Sequence, residues 1–190
     1  MKNRPVGLLL ALVSLSLPLT TTSAEPLPVG SSGTITTEEL AQTGEFDVGP
    51  ALVLNRPDVF SEVDGSVLIH TLPVLTLLDG RRFPISGDLA RMGMAPLNVF
   101  PIAFLNSVDV QRVSASPVYG SDAAGGAIDL RLKRYYSGGE VGVFYGKSSG
   151  KYGREDFQSY IIGGVGNDKF NVTVGASYDE SHGHIPHVRP

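Results

Sequence analysis

The feature that most constrains the fold is a change in sequence pattern around residues 119–130, which read YGSDAAGGAIDL. Ser121 and Asp122 are turn formers whose short side chains can bond to nearby backbone groups. Gly125 and Gly126 have no Cβ atom, so another segment can approach closely there, or the backbone can adopt a positive φ. The segments before this stretch are short and mixed, whereas those after it are long, glycine-rich and alternating. The pattern predicts a domain junction.

Composition and charge narrow the class of protein. The chain of 190 residues has room for one ordinary domain and a small addition, and its 42% hydrophobic and 18% charged content is typical of a folded protein. The absence of cysteine excludes disulfides and Cys-based metal or redox sites. Removing residues 1–24, which carry two basic residues and no acidic one, lowers the formal net charge from −4 to −6. This charge argues against nucleic acid as a general partner.

Residues 1–24 match a secretory signal peptide. They have a basic start, a leucine-rich centre and a small-residue end, and we predict cleavage between Ala24 and Glu25. A membrane anchor is the alternative, but the apolar run is short and is interrupted by serine and proline. The following residues, 25–33, are predicted to be a Pro/Gly/Ser tether. The pattern therefore predicts export from the cytoplasm.

Residues 34–134 predict a compact domain of short helices and strands. Thr36 and Glu39 fit a capping box at the start of a short helix that ends at Gly44, and a second helix is expected from about Gly49-Pro50. Two Asp-Gly pairs are strong hairpin signals. We predict strands at residues 59–63, 66–71, 74–78 and 107–113, and one helical turn at residues 101–105.

Residues 135–190 predict about three strands of the kind found in membrane β-barrels. In residues 170–178, apolar side chains alternate with small or polar ones, and aromatic residues stand at both ends. Residues 140–147 alternate in the same way, and residues 157–166 do so less regularly. A short turn follows one strand and a longer polar loop another, which is the asymmetry of outer-membrane barrels. A soluble β-sandwich also has alternating strands, so periodicity leaves both folds open.

Four segments, taken in order and spacing, resemble the plug domain of TonB-dependent outer-membrane receptors. They are ITTEEL at 35–40, LTLLDGRR at 75–82, PIAFLNSVDV at 101–110 and YGSDAAGGAI at 119–128, and the resemblance covers about residues 33–134. The motif residues of its hairpin and its final turn are Leu78, Asp79, Gly80, Arg81, Arg82, Tyr119, Gly120, Asp122, Gly125 and Gly126.

The resemblance implies an α+β chain: a compact mixed plug domain followed by a few antiparallel transmembrane-type β-strands of an incomplete barrel. It implies gated, energy-coupled uptake of a chelated metal, cobalamin or an oligomeric substrate at the outer membrane, with a periplasmic TonB-type protein as partner. It implies no cofactor. An open three-stranded sheet would expose its edges to lipid, so we expect a missing barrel segment or a second chain, and no transport by this chain alone.

Two departures from the family pattern concern the plug. Ile69-His70-Thr71 stands where the family has Ile-Arg-Gly, which removes an arginine, and residues 114–117 read SASP where the family has Lys-Gly-Pro. No TonB-contacting box can be identified in the tether. Arg81 and Arg82 are equally compatible with contacts to a barrel or ligand and with a solvated hairpin. The rival hypothesis is a soluble periplasmic binding or interaction module whose later strands form a small β-sandwich.

Two groups of residues could suggest other chemistry. His182, His184 and His187 are spaced as weak candidates for a metal site, but no fixed scaffold holds that spacing, so no metal is predicted. Asp79, Asp109 and Asp129 are scattered in sequence without a nucleophile or base motif. We therefore predict that the protein is not an enzyme.

Overall fold

A computed structural model of the chain describes residues 8–16, 32–84, 95–111, 120, 123–150, 153–167 and 169–183. Two compact units can be distinguished. The mixed unit comprises Leu19–Lys133, and the strand unit comprises Met1–Pro18 and Arg134–Pro190. Each unit has its own sheet.

The sheet of the mixed unit contains seven strands among the described residues, and the last of them lies in its middle. The strands run in the order β2-β7-β8-β5-β4-β3, with β6 paired to β5. β5 and β8 are parallel, whereas the other pairs are antiparallel. All residues of β8 except Arg131 are buried. The strands are β2 Ser32–Thr36, β3 Phe60–Val63, β4 Ser66–Ile69, β5 Leu72–Leu78, β6 Arg81–Arg82, β7 Leu105–Gln111 and β8 Gly126–Leu132.

The first of the two short helices begins at the predicted capping residues. In α1, Thr37–Ala41, the Glu39 N–H donates to Thr36 Oγ1 at 3.3 Å and the Thr36 N–H donates to Glu39 Oε2 at 2.8 Å. The predicted capping box is therefore confirmed. The second helix, α2, spans Val48–Asn55 and begins slightly before the predicted Gly49-Pro50. The 3-10 turns are Pro96–Asn98 and Ile102–Phe104.

Large apolar side chains form the core of the mixed unit. The Phe100 ring meets Phe83 and Phe104 edge to face, with centroid distances of 5.7 and 6.0 Å. Phe100 and Phe104 are fully buried, and full burial of each such side chain stabilises the fold by about 1.5–3 kcal/mol. Other fully buried core side chains include Leu40, Leu52, Ile69, Leu77, Leu105, Val108, Ile128 and Leu130.

Three tight turns of the sheet have positive φ at both central residues, as type I′ hairpin turns require. They are Asp64-Gly65 with φ of 49° and 73°, His70-Thr71 with 48° and 65°, and Asp79-Gly80 with 49° and 79°. The predicted strand at residues 66–71 was wrong at its end, because β4 stops at Ile69. A β-branched threonine is typical of strands, which is why the pattern concealed a turn.

The strand unit is an antiparallel sheet in the order β1-β11-β10-β9. A long connection joins β9 to β10, and a tight turn joins β10 to β11, as the sequence predicted. β1 lies within the predicted signal peptide and pairs with β11 over nine residues. The strands are β1 Leu8–Ser16, β9 Gly138–Lys147, β10 Arg154–Asn167 and β11 Phe170–Gly183.

The two faces of β9, β10 and β11 differ in polarity. One face carries exposed apolar side chains: Val141, Val143, Tyr145, Phe157, Ile161, Val165, Phe170 and Val174. We call it the apolar face. The opposite face, the polar face, carries Glu140, Gly142, Gln158, Tyr160, Asn171, Thr173 and Ser177.

Strands dominate the described chain, and its helices are few and short. An α+β description therefore fits the mixed unit, while the strand unit is all β among its described residues. Within the described part of the chain, no helix has the length and apolar character needed to cross a membrane.

Candidate functional site

The predicted hairpin is bound to the central strand β8. Its turn follows β5, and β6 pairs back onto β5. The Asp79 N–H donates to the Leu130 carbonyl at 3.0 Å, and the Leu132 N–H donates to Asp79 Oδ1 at 3.3 Å. The Gly80 N–H donates to Asp129 Oδ1 at 2.9 Å. Three hydrogen bonds thus fix the turn against β8.

An arginine bridges two carboxylates that face each other across the sheet. Asp109 of β7 lies directly opposite Asp129 of β8, an arrangement in which like charges repel. Arg131 Nε donates to Asp109 Oδ2 at 2.9 Å, and Arg131 Nη2 lies 3.0 Å from Asp129 Oδ2. The guanidinium therefore offsets the repulsion between the two carboxylates.

Burial changes the electrostatics of this group. Desolvation raises the pKa of Asp129, whose side chain is 8% exposed, and the charges of Asp109 and Asp79 raise it further. The hydrogen bond from the Gly80 N–H and the charge of Arg131 lower the pKa of Asp129, but the net effect is a raised pKa. For Arg131, burial is the largest influence and lowers the pKa, yet hydrogen bonding to Asp109 and the neighbouring carboxylates raise it overall.

The structure brings together Asp79, Asp109 and Asp129, which the sequence analysis regarded as scattered. Strand pairing supplies the proximity, since β7 and β8 are neighbours and the hairpin turn lies beside β8. Only the strand register, which the structure supplies, reveals the Asp109–Asp129 pair. Arg131, which was not singled out from the sequence, holds two of the carboxylates. Among the described residues, no group of three or more candidate ligands could hold a metal ion.

The hairpin also lies close to the junction stretch. Arg81 and Arg82 are exposed. Gly120 has a φ of 94°, and a Cβ atom placed on it would be 3.9 Å from Arg82 Nη2. Two of the four segments that carry the family resemblance therefore lie close together in space. Tyr119 and Asp122 lie outside the described residues.

The glycine pair of the junction lies against the turn between β4 and β5. The Gly125 N–H donates to the Pro73 carbonyl at 2.8 Å. A Cβ atom at Gly125 would lie 2.6 Å from the Leu72 carbonyl oxygen and 3.0 Å from that of Ile69. Gly126 has a φ of 132°, which L side chains rarely adopt. Gly125 therefore allows the turn between β4 and β5 to approach closely, whereas Gly126 adopts a positive φ.

The weak metal candidates are only partly described. His182 lies near the end of β11, with Nε2 3.6 Å from Glu180 Oε1. His184 and His187 lie outside the described residues, as do Ala24 and Glu25 of the predicted cleavage site. The described part of the chain thus gives these histidines no shared site.

Comparisons with known proteins fit this geometry. A family model described as the TonB-dependent Receptor Plug Domain matches residues 28–127. The crystal structure of the siderophore receptor PirA from Acinetobacter baumannii is similar, with a TM-score of 0.55 and 18% sequence identity, covering 78% of this chain and 24% of the receptor. At this identity the likeness concerns the fold alone. The chain spans about a quarter of the length of that receptor.

Proposed function

Since the chain belongs to the TonB-dependent receptor plug domain family, we propose that it provides the plug of an outer-membrane receptor that gates energy-coupled uptake. The observation that carries this proposal is the match over residues 28–127, in a unit whose hairpin and junction stretch meet at Arg82 and Gly120. The family is one of receptors for transport rather than enzymes, and we propose no catalytic role. The proposed plug spans residues 34–134, after a cleaved signal peptide and a tether.

The proposed substrate is a chelated metal, cobalamin or an oligomer. The similar fold of a siderophore receptor supports the chelated metal as the first of these to test. The proposed partner for energy coupling is a TonB-type periplasmic protein. Further barrel strands, from a missing segment or a second chain, would be needed before substrate could pass.

The exposed apolar face supports a membrane location for residues 135–190. Val143 is 66% exposed and Ile161 is 57% exposed, while the polar face carries hydrogen-bonded side chains such as Tyr160. Outer-membrane strands alternate in this way, apolar toward lipid and polar toward the lumen. The soluble module considered above would bury this face in its own core, so the exposure favours the membrane.

Fractionation of cells that express the chain with its leader tests this proposal. We expect the protein in the outer-membrane fraction, released by detergent and retained after a high-salt wash. Recovery of a soluble periplasmic monomer that unfolds cooperatively would contradict the membrane location and favour the rival module.

Two matched lysine substitutions sharpen the test. Ile161→Lys places a charge on the apolar face, which costs about 2–4 kcal/mol near the bilayer midplane, so membrane recovery should fall strongly. Gln158→Lys places the same charge on the polar face beside Asp179, with which Gln158 is hydrogen-bonded, and recovery should be retained. Equal recovery of both variants would contradict the assignment of the two faces.

A further inference from the structure

A continuous chain of side-chain contacts crosses the sheet of the mixed unit. Thr34 Oγ1 of β2 donates to Asp109 Oδ1 at 2.8 Å, and Asp109 Oδ2 accepts from Arg131 Nε at 2.9 Å. Arg131 Nη2 then lies 3.0 Å from Asp129 Oδ2, and Asp129 Oδ1 accepts from the Gly80 N–H at 2.9 Å. Each carboxylate uses one oxygen for the arginine and the other for a neighbouring element. We call these five residues the polar relay.

β2 depends on polar contacts because few of its side chains pack against apolar neighbours. β2 is an edge strand paired with β7 alone. Ile35 is only half-buried, and Thr34 and Thr36 are exposed. A cavity of about 80 Å³ lies beside the strand, lined partly by Ile35, Phe60 and Val110. An edge strand with few buried contacts opens at low free-energy cost.

The hairpin turn depends on the other end of the same chain of contacts. Gly80 is exposed, and its N–H uses the buried Asp129 as acceptor. Asp129 in turn keeps its orientation through Arg131. Thr34 thus contacts the carboxylate of Asp109 that also binds Arg131, and Arg131 contacts the carboxylate that accepts from the turn.

We propose that the polar relay couples β2 to the Asp79-Gly80 turn, so that release of β2 loosens the hairpin formed by β5 and β6. The coupling acts through two carboxylates and one arginine, which lie between Thr34 and Gly80 in the chain of contacts. This inference is internal to the mixed unit and goes beyond the proposed uptake function.

Amide hydrogen exchange on the full chain, resolved to the Gly80 amide, tests the coupling. Thr34→Val removes the donor to Asp109, and the loss of one hydrogen bond should raise exchange at Gly80 about three- to tenfold. Thr34→Ser keeps the hydroxyl and should restore the parent rate. Faster exchange confined to β2, with Gly80 unchanged, would overturn the proposal.

Thr37→Val is the matched control. The Thr37 hydroxyl donates to the Leu105 carbonyl at 3.0 Å, so this variant loses a similar bond next to β2 but outside the polar relay. Exchange at Gly80 should stay within about twofold of the parent, below the change expected from the loss of one coupled hydrogen bond. An equal rise in the Thr34→Val and Thr37→Val variants would mean general destabilisation and would refute the coupling.

A double substitution tests the middle of the polar relay. Asp129→Asn keeps an oxygen for the Gly80 N–H but replaces the oxygen that faces Arg131 with an amide NH2 group. The effect of Thr34→Val on Gly80 exchange should then shrink to less than about twofold, because non-additivity is the signature of coupled sites. Full additivity of the two substitutions would contradict the proposal.

Discussion

Gly125 and Thr71 have opposite relations to the backbone that surrounds them. Two carbonyl oxygens lie 2.6 and 3.0 Å from the position that a Cβ atom on Gly125 would take, so only glycine fits without movement. Thr71 carries a branched Cβ at a φ of 65°, in the left-handed region where such residues are rare. Both residues flank the contact between the β4–β5 turn and the junction. Gly125 is therefore well suited to its position, whereas Thr71 is strained at its own.

Gly125→Ala should destabilise the mixed unit by about 1–3 kcal/mol, because the added methyl group overpacks against backbone atoms that cannot rotate away. Denaturant unfolding followed by circular dichroism measures the effect. Gly33→Ala is the control, since no atom lies within 4 Å of its added Cβ. Equal losses in the two variants would show that the carbonyl contacts are unimportant.

Thr71→Gly should stabilise the mixed unit by up to about 1 kcal/mol, because it relieves a left-handed β-branched residue. The gain is limited by the added freedom of the unfolded chain and by the lost hydrogen bond from Thr71 Oγ1 to the His70 carbonyl. Thr71→Ala keeps a Cβ atom and should not reach the same melting temperature. A melting temperature for Thr71→Gly below that of Thr71→Ala would contradict this account.

Asp129 gives the mixed unit a pH dependence of predictable sign. Its folded-state pKa is raised, mainly by burial, above the unfolded value of about 3.9. Ionisation therefore costs stability, and this contribution to the free energy of unfolding falls as pH rises from about 4 through the raised pKa. Asp129→Asn removes the titration, so its stability relative to the parent should improve between pH 4 and pH 7. A pH-independent difference would contradict the expectation.

Elements whose signals are local could be predicted from the sequence. The capping box of α1, the Asp-Gly turns and the alternating late strands each depend on residues close together in the chain. The polar relay could not be predicted, because Asp109, Asp129 and Gly80 meet only through the pairing of β7 with β8 and of β8 with β5. The His70-Thr71 turn was missed for another reason: its residue types favour a strand.

Thr36→Ala should destabilise the mixed unit by about 1 kcal/mol, because α1 loses its N-cap. Thr36→Ser keeps the capping oxygen and should retain nearly all of the stability. Thermal unfolding of the two variants measures the difference. If both variants melt at the same temperature, the capping bond contributes nothing measurable.

The division into two units matches the two kinds of surface that the chain presents. The mixed unit has a core of buried aromatic and aliphatic side chains, whereas the strand unit exposes valine, isoleucine and aromatic residues on one face. A large exposed apolar surface indicates a site of contact with lipid or protein. The sequence pattern predicted that face correctly, because a strand places alternate residues on opposite sides.

A pair of tryptophan reporters should distinguish the two faces in a bilayer. The chain has no tryptophan, so a single substitution gives an unambiguous fluorescence signal. Val143→Trp lies on the apolar face and should show blue-shifted emission that brominated lipid chains quench. Phe144→Trp lies on the opposite face of the same strand and should be quenched less. Stronger quenching at residue 144 would reverse the assignment.

The central position of β8 in the sheet sets the order in which the mixed unit can fold. β8 joins the β2–β7 pair to the strands β3–β6, yet it is the last of these strands to be synthesised. When a chain passes through a secretion channel with its N-terminus first, β2 to β7 reach the far side before β8, the strand that joins them into one sheet. Such a chain stays open to proteases and aggregation until residues 126–132 emerge, and long-range pairing of this kind is slow. For the proposed exported chain, the interval before β8 emerges would therefore set how long the unpaired strands remain exposed.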